Sequence, residues 1–133
     1  LGDRAVLRAI HFFADSRRAG ALCSAIREDR FEDFLELIVA GGHSSFEYNQ
    51  NAYSAKNPRE QGVSLGLALS QHILEGYGAW RLQGGGFAGN IQALVPVHLL
   101  EAYRAAMDSV FGEGSCYVLN VRNYGALCVT EAL

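Results

Sequence analysis

The period of the hydrophobic pattern changes near Gly78, and this change limits the chain to folds that combine helices with a sheet. Before that point, apolar residues recur mostly every three or four positions, as they do on one face of a helix. Beyond it, Trp80 and Leu82 alternate with Ala79 and Arg81, which is the two-residue period of a strand. The sequence therefore predicts an α+β domain whose first half is helical.

The first predicted helix runs from Asp3 to about Arg27. Its apolar residues recur at helical spacing, and charged residues fill the opposite face. We expect the apolar positions to face the core, namely Val6, Ile10, Phe13, Ala14, Leu22, Ala25 and Ile26.

A second helix is predicted to begin at Asp29. Its carboxylate can accept hydrogen bonds from the first-turn amides while Glu32, three residues later, reaches back, as in a capping box. Gly41 and Gly42 either end this helix or mark a place where another segment packs closely against its backbone. The stripe expected to be buried consists of Phe31, Phe34, Leu35, Ile38 and Val39.

The remaining chain is predicted to contain two more helices and two pairs of strands. A third helix spans about residues 63–75 and stops at Gly76, and a fourth spans residues 97–111 and stops at Gly112. The strand-like segments are residues 79–82, 91–96, 116–122 and 126–130. A four-stranded antiparallel sheet covered by helices on one face is the simplest way to bury these stripes. We expect residues 1–133 to form one domain.

The charge balance argues against polyanionic partners. Eleven basic and 14 acidic residues give a net charge of −3, so no broad positive field attracts nucleic acid or anionic lipid. No run approaches the roughly 18 apolar residues of a membrane-spanning helix. We therefore expect neither nucleic acid nor a membrane surface as a partner.

The cysteines, Cys23, Cys116 and Cys128, are odd in number and contain no C-x-x-C pair. Such a set fits neither a disulfide framework nor a zinc site, so no metal site is predicted and a reducing cytoplasm is the expected location. The chain opens at LGDRAV without methionine, almost directly inside a helical pattern. We therefore expect it to be a piece of a longer protein.

The segment RLQGGGFAGN, residues 81–90, places four glycines between the first two predicted strands. Gly84, Gly86 and Gly89 match the G-x-G-x-x-G pattern that surrounds phosphates in dinucleotide-binding domains and protein kinases. The context fits neither class: a strand follows where a dinucleotide fingerprint requires a helix, and no protein-kinase catalytic loop is present. Glycines placed in this way either let a ligand approach the backbone closely or form a flexible hairpin.

The segment RLQGGGFAGNIQALVP resembles the third motif of the GHMP small-molecule kinases, and of galactokinases in particular. In that family a Gly-Gly-Gly-Phe-Gly-Gly loop joins two strands of the C-terminal domain. RAIHFFADSRRAGALCSAI is similar to the family's Arg-Ala-x-His helix with its downstream Glu-Asn-x-Arg pattern, here Asp15, Ser16 and Arg18 or Arg17. GGHSSF resembles the family's Ser-His-x-Ser-Leu segment, and VRNYGALCV resembles its closing strand. The resemblance spans nearly the whole chain.

The resemblance implies a ferredoxin-like GHMP kinase C-terminal lobe, whose glycine loop faces the cleft where the phosphates of ATP meet a sugar. The residues to which it assigns cofactor contact are Gly84, Gly85, Gly86, Phe87 and Gly89. Ala88 stands where the family usually has glycine, so we expect a negative φ there. The segment NPREQGVSLGL does not match the family's Ser-Cys-Pro-Glu-Leu-Asp segment, so galactose itself is not assigned as the acceptor.

Outside the glycine segment, three polar residues are candidate site residues, and a fourth, His11, has a structural interpretation. His43 and Ser45 are matched to the family's Ser-His-x-Ser segment and are candidates on the substrate side. Arg81 either points into the cleft, where a guanidinium can bind an oxyanion, or forms a salt bridge on the sheet face. His11 lies between two apolar positions and is interpreted as a partly buried histidine with a hydrogen-bond partner.

The family's sugar-recognition motif, phosphate loop, magnesium-binding acid and catalytic aspartate belong to the N-terminal lobe and do not occur in this chain. The resemblance thus implies an ATP-dependent sugar 1-kinase in which a covalently linked N-terminal lobe binds most of the ATP and Mg²⁺. It implies no catalytic residue in this chain and no activity of the 133 residues alone. Two alternatives stay open: a stand-alone ferredoxin-like ligand-binding or regulatory module, and a GHMP kinase for another small alcohol.

Overall fold

The computed structural model describes residues 2–87 and 89–125. The described elements are helix α1 (Asp3–Arg27), helix α2 (Phe31–Ser44), a π-helix (Ser45–Asn49), helix α3 (Gly62–Leu74), strand β1 (Ala79–Leu82), strand β2 (Ile91–Leu94), a 3-10 turn (Val97–Leu99) and helix α4 (Leu100–Phe111). About 59% of the described residues are helical and the two strands are antiparallel, which confirms the predicted α+β class. The bounds of α1 are those predicted.

Helix α1 ends in a Schellman motif, and this motif occupies the place of the capping box predicted at Asp29. The amide of Arg30 donates to the carbonyl of Ala25 at 2.8 Å, and the amide of Asp29 donates to that of Ile26 at 3.3 Å. Asp29 has a φ of 55°, the left-handed conformation expected just past a helix end. The capping-box prediction was wrong because aspartate suits both an N-cap and a left-handed turn, and Arg30 takes the N-cap position of α2.

Helix α1 packs against α2 and the π-helix through a face that is polar over most of its length. The polar residues of this face recur at three- and four-residue spacing, and we call them the polar seam: Arg8, His11, Asp15 and Arg18. The same face continues to Ala25, which is fully buried as predicted.

The apolar side of α1 was expected in the core, and this expectation is wrong for most of its residues. Val6, Ile10, Phe13 and Ile26 are 52%, 48%, 61% and 62% exposed. Hydrophobic periodicity identifies the apolar side of a helix, but here hydrogen bonds from the opposite side decide which face packs.

Close packing at Gly42 allows helix α2 to lie against strand β1. A Cβ atom at Gly42 would lie 3.0 Å from the carbonyl oxygen of Trp80 and 3.1 Å from Cα of Arg81. Of the two interpretations of the Gly41–Gly42 pair, close packing is therefore confirmed, and the helix continues to Ser44 before the π-helix begins.

The predicted buried stripe of α2 is confirmed in part. Ile38 is buried, while Phe34, Leu35 and Val39 are half-buried. Phe31, in the first turn, is 62% exposed, and its ring stacks on Phe34 at a centroid distance of 5.9 Å. The first turn of α2 therefore contributes little to the core.

The hydrophobic core lies where α3 and α4 pack on the β1–β2 hairpin. Its most buried side chains are Leu74, Trp80, Tyr103 and Met107. Helix α3 stops before Gly76, whose φ is 81°, and α4 stops at Gly112, whose φ is 100°, as predicted. The hairpin register runs from Ala79 opposite Leu94 to Leu82 opposite Ile91.

The described residues contain two strands, so the predicted four-stranded ferredoxin-like sheet is not confirmed. Residues 116–122 were predicted as a strand but have no regular secondary structure, and Tyr117, Leu119 and Val121 are 81%, 86% and 98% exposed. A strand needs a neighbour for its backbone groups, and the described residues provide none for this segment. Its predicted partner, residues 126–130, lies outside the described residues.

Candidate functional site

The connection between β1 and β2, residues 83–90, forms what we call the glycine turn. It contains every residue predicted to contact ATP. The amide of Gln83 donates to the carbonyl of Asn90 at 3.4 Å at its base, and the amide of Gly89 donates to the carbonyl of Gly86 at 3.1 Å. The prediction for Ala88 lies outside the described residues.

The glycines give the turn a backbone conformation that other residues rarely adopt. Gly84, Gly86 and Gly89 have φ values of 60°, 92° and 79°, all in the left-handed region. Gly85, between the first two, is not in that region. Turns of this kind can point successive N–H groups toward a single anion.

Several amides of the glycine turn are available as donors. Those of Gly84, Gly85, Gly86 and Phe87 make no hydrogen bond to any described residue. Gly84 and Gly85 are exposed, and, apart from their chain neighbours, no described heavy atom lies within 4 Å of a Cβ built at either position. Exposed amides without a described partner, such as those of Gly84 and Gly85, fit phosphate oxygens, so the residues present are compatible with the predicted ATP contact.

Gly86 differs from its neighbours because it is buried against Asn51. A Cβ atom at Gly86 would lie 2.8 Å from the carbonyl oxygen and 3.2 Å from Cβ of Asn51. Asn51 is only 8% exposed, and its Oδ1 accepts a hydrogen bond from Nη2 of Arg8 at 2.7 Å. Arg8 Nε also donates to the carbonyl of Asn49 at 3.4 Å. Helix α1 is thereby connected to the glycine turn.

The structure does not bring the substrate-side candidates together in one site. His43 is exposed, whereas Ser45 is 7% exposed, because residues two positions apart point to different sides of a helix. Arg81 is half-buried in β1, and its Nε is buried without a hydrogen-bond partner among the described residues. The sequence suggested that Arg81 either points into a cleft or forms a salt bridge. Among the described residues, neither arrangement is observed.

His43 lines a cavity of about 270 Å³ between the end of α2, α3 and β1. Trp80 and Glu47 also line it, but Ser45, Arg81 and the described residues of the glycine turn do not. A second, open groove of about 530 Å³ lies near the 3-10 turn and is likewise separate from the glycine turn. The two cavities therefore do not form the cleft that the resemblance implies.

The interpretation of His11 is confirmed. Its Nδ1 lies 3.0 Å from Oγ of Ser44, and the side chain is half-buried. Further along the polar seam, Arg18 pairs with Asp15 at 2.6 Å, and both lie against Gly41. His11 thus has a structural partner in the interface between α1 and α2.

Burial raises the pKa of two titratable side chains that lie in or against the core. It raises the pKa of Tyr103, and it also raises the pKa of Cys116, to which the nearby carboxylate of Asp108 contributes. A thiol with a raised pKa is a weak nucleophile at neutral pH.

Arg8 and Asn51 are residues of this region that were not predicted from the sequence as site residues. The spacing of the polar seam in the sequence could have identified Arg8. Positions 8, 11, 15 and 18 have the spacing of a buried helix face but are all polar, which indicates a hydrogen-bonded interface. Asn51 has no comparable signal, because it lies outside a periodic element.

Within residues 2–87 and 89–125, no three His, Cys, Asp or Glu side chains lie close enough to hold a metal ion. No helix in that part of the chain has the length and apolar character needed to cross a membrane. Comparisons with protein-family models, curated proteins and solved structures found no match.

Proposed function

We propose that this chain is the C-terminal lobe of a GHMP-type small-molecule kinase, and that its glycine turn contacts the phosphates of ATP. The observation that carries the proposal is that the amides of Gly84, Gly85, Gly86 and Phe87 make no hydrogen bond to any described residue, and that Gly84 and Gly85 are exposed. They occur in the segment whose sequence resembles the family's third motif, so a sequence argument and a geometric argument point to the same residues.

The proposed reaction transfers the γ-phosphoryl group of ATP to a hydroxyl group of a sugar or a related small alcohol. Catalysis of this kind depends chiefly on positioning and on neutralising charge around the phosphates. The amides of the turn would donate hydrogen bonds to phosphate oxygens, and the bare backbone at Gly84 and Gly85 would let the phosphates approach closely. No residue of this chain is assigned as the catalytic base.

The exposed apolar side of α1 supports the part of the proposal that concerns a linked N-terminal lobe. Val6, Ile10 and Phe13 lie four and three residues apart on one side of the helix, and all are about half exposed or more. Apolar stripes of this kind commonly mark interfaces. We assign the stripe to contact with the N-terminal lobe, which would supply most of the ATP and Mg²⁺ contacts and complete the cleft.

A direct test is an amide NMR titration of the 133-residue chain with inorganic pyrophosphate. The amide resonances of Gly84, Gly85, Gly86 and Phe87 are expected to shift together with one saturation curve. The amide of Gly78, which donates to Leu74 at 2.9 Å, provides an internal reference. Shifts spread evenly over the chain, or none at the turn, would contradict the proposed phosphate contact.

Gly85→Val provides the functional test in the longer protein that contains the N-terminal lobe. Gly85 is exposed and outside the left-handed region, and no described heavy atom lies within 4 Å of a Cβ built there, so valine adds bulk where the phosphates would lie with little expected effect on packing. We expect kcat/KM for ATP to fall roughly tenfold or more with little change in Tm. Gly20→Ala in α1, also without neighbours within 4 Å, is the control and should leave kcat/KM unchanged.

The outcomes separate the proposed kinase from the other functional classes. An equal loss of activity and stability in Gly85→Val would indicate a structural hairpin. Robust ATP-dependent turnover by the 133-residue chain alone would contradict its assignment as a lobe without catalytic residues. A ligand-binding module would be favoured if the longer protein phosphorylated none of the hydroxyl substrates tested but the chain still bound pyrophosphate.

A further inference from the structure

Arg8 is placed to control the segment that supports the glycine turn. Its guanidinium donates on one side to the carbonyl of Asn49 at 3.4 Å and on the other to Oδ1 of Asn51 at 2.7 Å. Gln50, between those two residues, has a φ of 57°, a left-handed conformation that is unfavourable for a side chain with a Cβ atom. Arg8 therefore holds a strained segment from both ends.

Asn51 transmits this constraint to the glycine turn. Its side chain is held by Arg8, while its backbone carbonyl faces Gly86 so closely that an added Cβ atom would lie 2.8 Å from the oxygen. Gly86 is buried, whereas Gly84, Gly85 and Gly89 are exposed. Of the glycines in the turn, Gly86 is thus the one that packs against another segment.

We infer that Arg8 is a positioning residue, which fixes residues 49–51 and through Asn51 fixes the conformation of the glycine turn. Arginine suits this role because its planar fork can donate to two acceptors in a fixed geometry. The consequence for ATP rests on the proposed function: Arg8 would set the positions of the unpaired amides without touching the phosphates. The positioning of the glycine turn by Arg8 does not depend on that function.

Amide hydrogen exchange on the 133-residue chain tests the structural part. In Arg8→Met, the Gly89 amide, which closes the turn on Gly86, is expected to exchange roughly tenfold faster. The Glu75 amide, bonded to Gln71 at 3.0 Å at the end of α3, should keep its rate. Arg4→Met is the matched control, because Arg4 is exposed one turn earlier on the same helix.

Two further variants distinguish positioning from a general effect on stability. Arg8→Lys keeps a cationic donor within reach of Asn51 and should restore part of the protection at Gly89. Asn51→Ala should accelerate exchange at Gly89 as much as Arg8→Met does, and the double variant should add little, because both changes break one connection. Uniform acceleration across all amides, or an Arg8→Met rate at Gly89 equal to that of Arg4→Met, would overturn the inference.

Kinetics in the longer protein test the consequence for ATP separately. We expect Arg8→Met to raise KM for ATP several-fold, with partial rescue in Arg8→Lys and no change in Arg4→Met. Faster exchange at Gly89 with unchanged ATP kinetics would support the positioning role and overturn the proposed phosphate contact of the turn. Unchanged exchange with altered kinetics would overturn the positioning role.

Discussion

Gly42 of helix α2 lies directly against the backbone of Arg81 in strand β1. A Cβ atom at position 42 would lie 3.1 Å from Cα of Arg81 and 3.0 Å from the carbonyl oxygen of Trp80. Both neighbours are backbone atoms of a paired strand and cannot move aside easily. The helix and the strand are thus closer together than a side chain at this position would allow.

Gly42→Ala is therefore expected to lower the free energy of unfolding by about 1–3 kcal/mol through overpacking. Alanine favours a helix over glycine by about 1 kcal/mol, so the packing term must exceed that gain. Gly20→Ala is the control, because no described atom of another segment lies within 4 Å of the added Cβ in α1. It should raise the free energy of unfolding by about 0.5–1 kcal/mol. Urea denaturation measures both, and a stabilised Gly42→Ala would show that α2 and β1 separate readily.

Gly86→Ala and Gly85→Ala should differ sharply although the residues are adjacent. Alanine at Gly86 meets both a φ of 92° and the carbonyl of Asn51, so we expect a loss of about 2 kcal/mol or more in the free energy of unfolding. Alanine at Gly85 meets neither and should change it by less than about 0.5 kcal/mol. Equal effects in urea denaturation would contradict the described packing of the turn.

The buried phenol of Tyr103 predicts a loss of stability in alkali. Oγ of Ser70 donates to the carbonyl of Gly66 at 2.7 Å, so the Tyr103 hydroxyl donates to Ser70 Oγ at 2.9 Å. Burial raises the pKa of Tyr103 above its ordinary value of 10.0. The unfolded chain therefore loses this proton first, and the stability contributed by Tyr103 is present below pH 10.0 and declines as the pH rises through the folded pKa.

Urea denaturation from about pH 8 to about pH 11 measures this dependence. Tyr103→Phe is expected to remove part of the alkaline decline and to lower the free energy of unfolding by about 1 kcal/mol at neutral pH. The other tyrosines remain in both proteins, so the difference isolates Tyr103. If the free energy of unfolding depends on pH in the same way in the two proteins, Tyr103 titrates alike in the folded and unfolded states.

Phe13 is expected to tolerate a polar substitution although it belongs to an apolar stripe. It is 61% exposed, so Phe13→Ser should change the free energy of unfolding of the 133-residue chain by less than about 0.5 kcal/mol. Leu74→Ala, at a fully buried position, should lower it by about 2–5 kcal/mol. If Phe13→Ser is as destabilising as Leu74→Ala, the stripe faces the core rather than solvent.

Local signals in the sequence predict the elements well. The bounds of α1, the stops at Gly76 and Gly112 and the β1–β2 hairpin follow from periodicity and from glycine at helix ends. Local conformations that depend on tertiary contacts are harder to predict from the sequence. Asp29 carries the chemistry of both an N-cap and a left-handed turn, and only the bonds to the carbonyls of α1 select the second.

The candidate site shows the same division between local and tertiary information. The position of the glycine turn, between two strand-like segments, follows from the sequence, and the structure has a connection between β1 and β2 at that place. The burial of Gly86 depends on Asn51, which is 35 positions away along the chain and can be recognised as a partner only in three dimensions. His43 and Ser45 are neighbours in sequence but point to different sides of the helix end, so sequence proximity does not place them in one site.

The π-helix that follows α2 sets the angle at which the chain leaves the helix. Its closing bond joins the amide of Gln50 to the carbonyl of Ser45 at 3.1 Å, one residue further along than an α-helical bond would reach. Removing one residue from Ser45–Asn49 would convert this wide turn into an ordinary α-helical turn and shorten the path between α2 and Asn51. Asn51 contacts both Arg8 and Gly86, so the loss of a single residue here is expected to disturb the connection between the first helix and the hairpin.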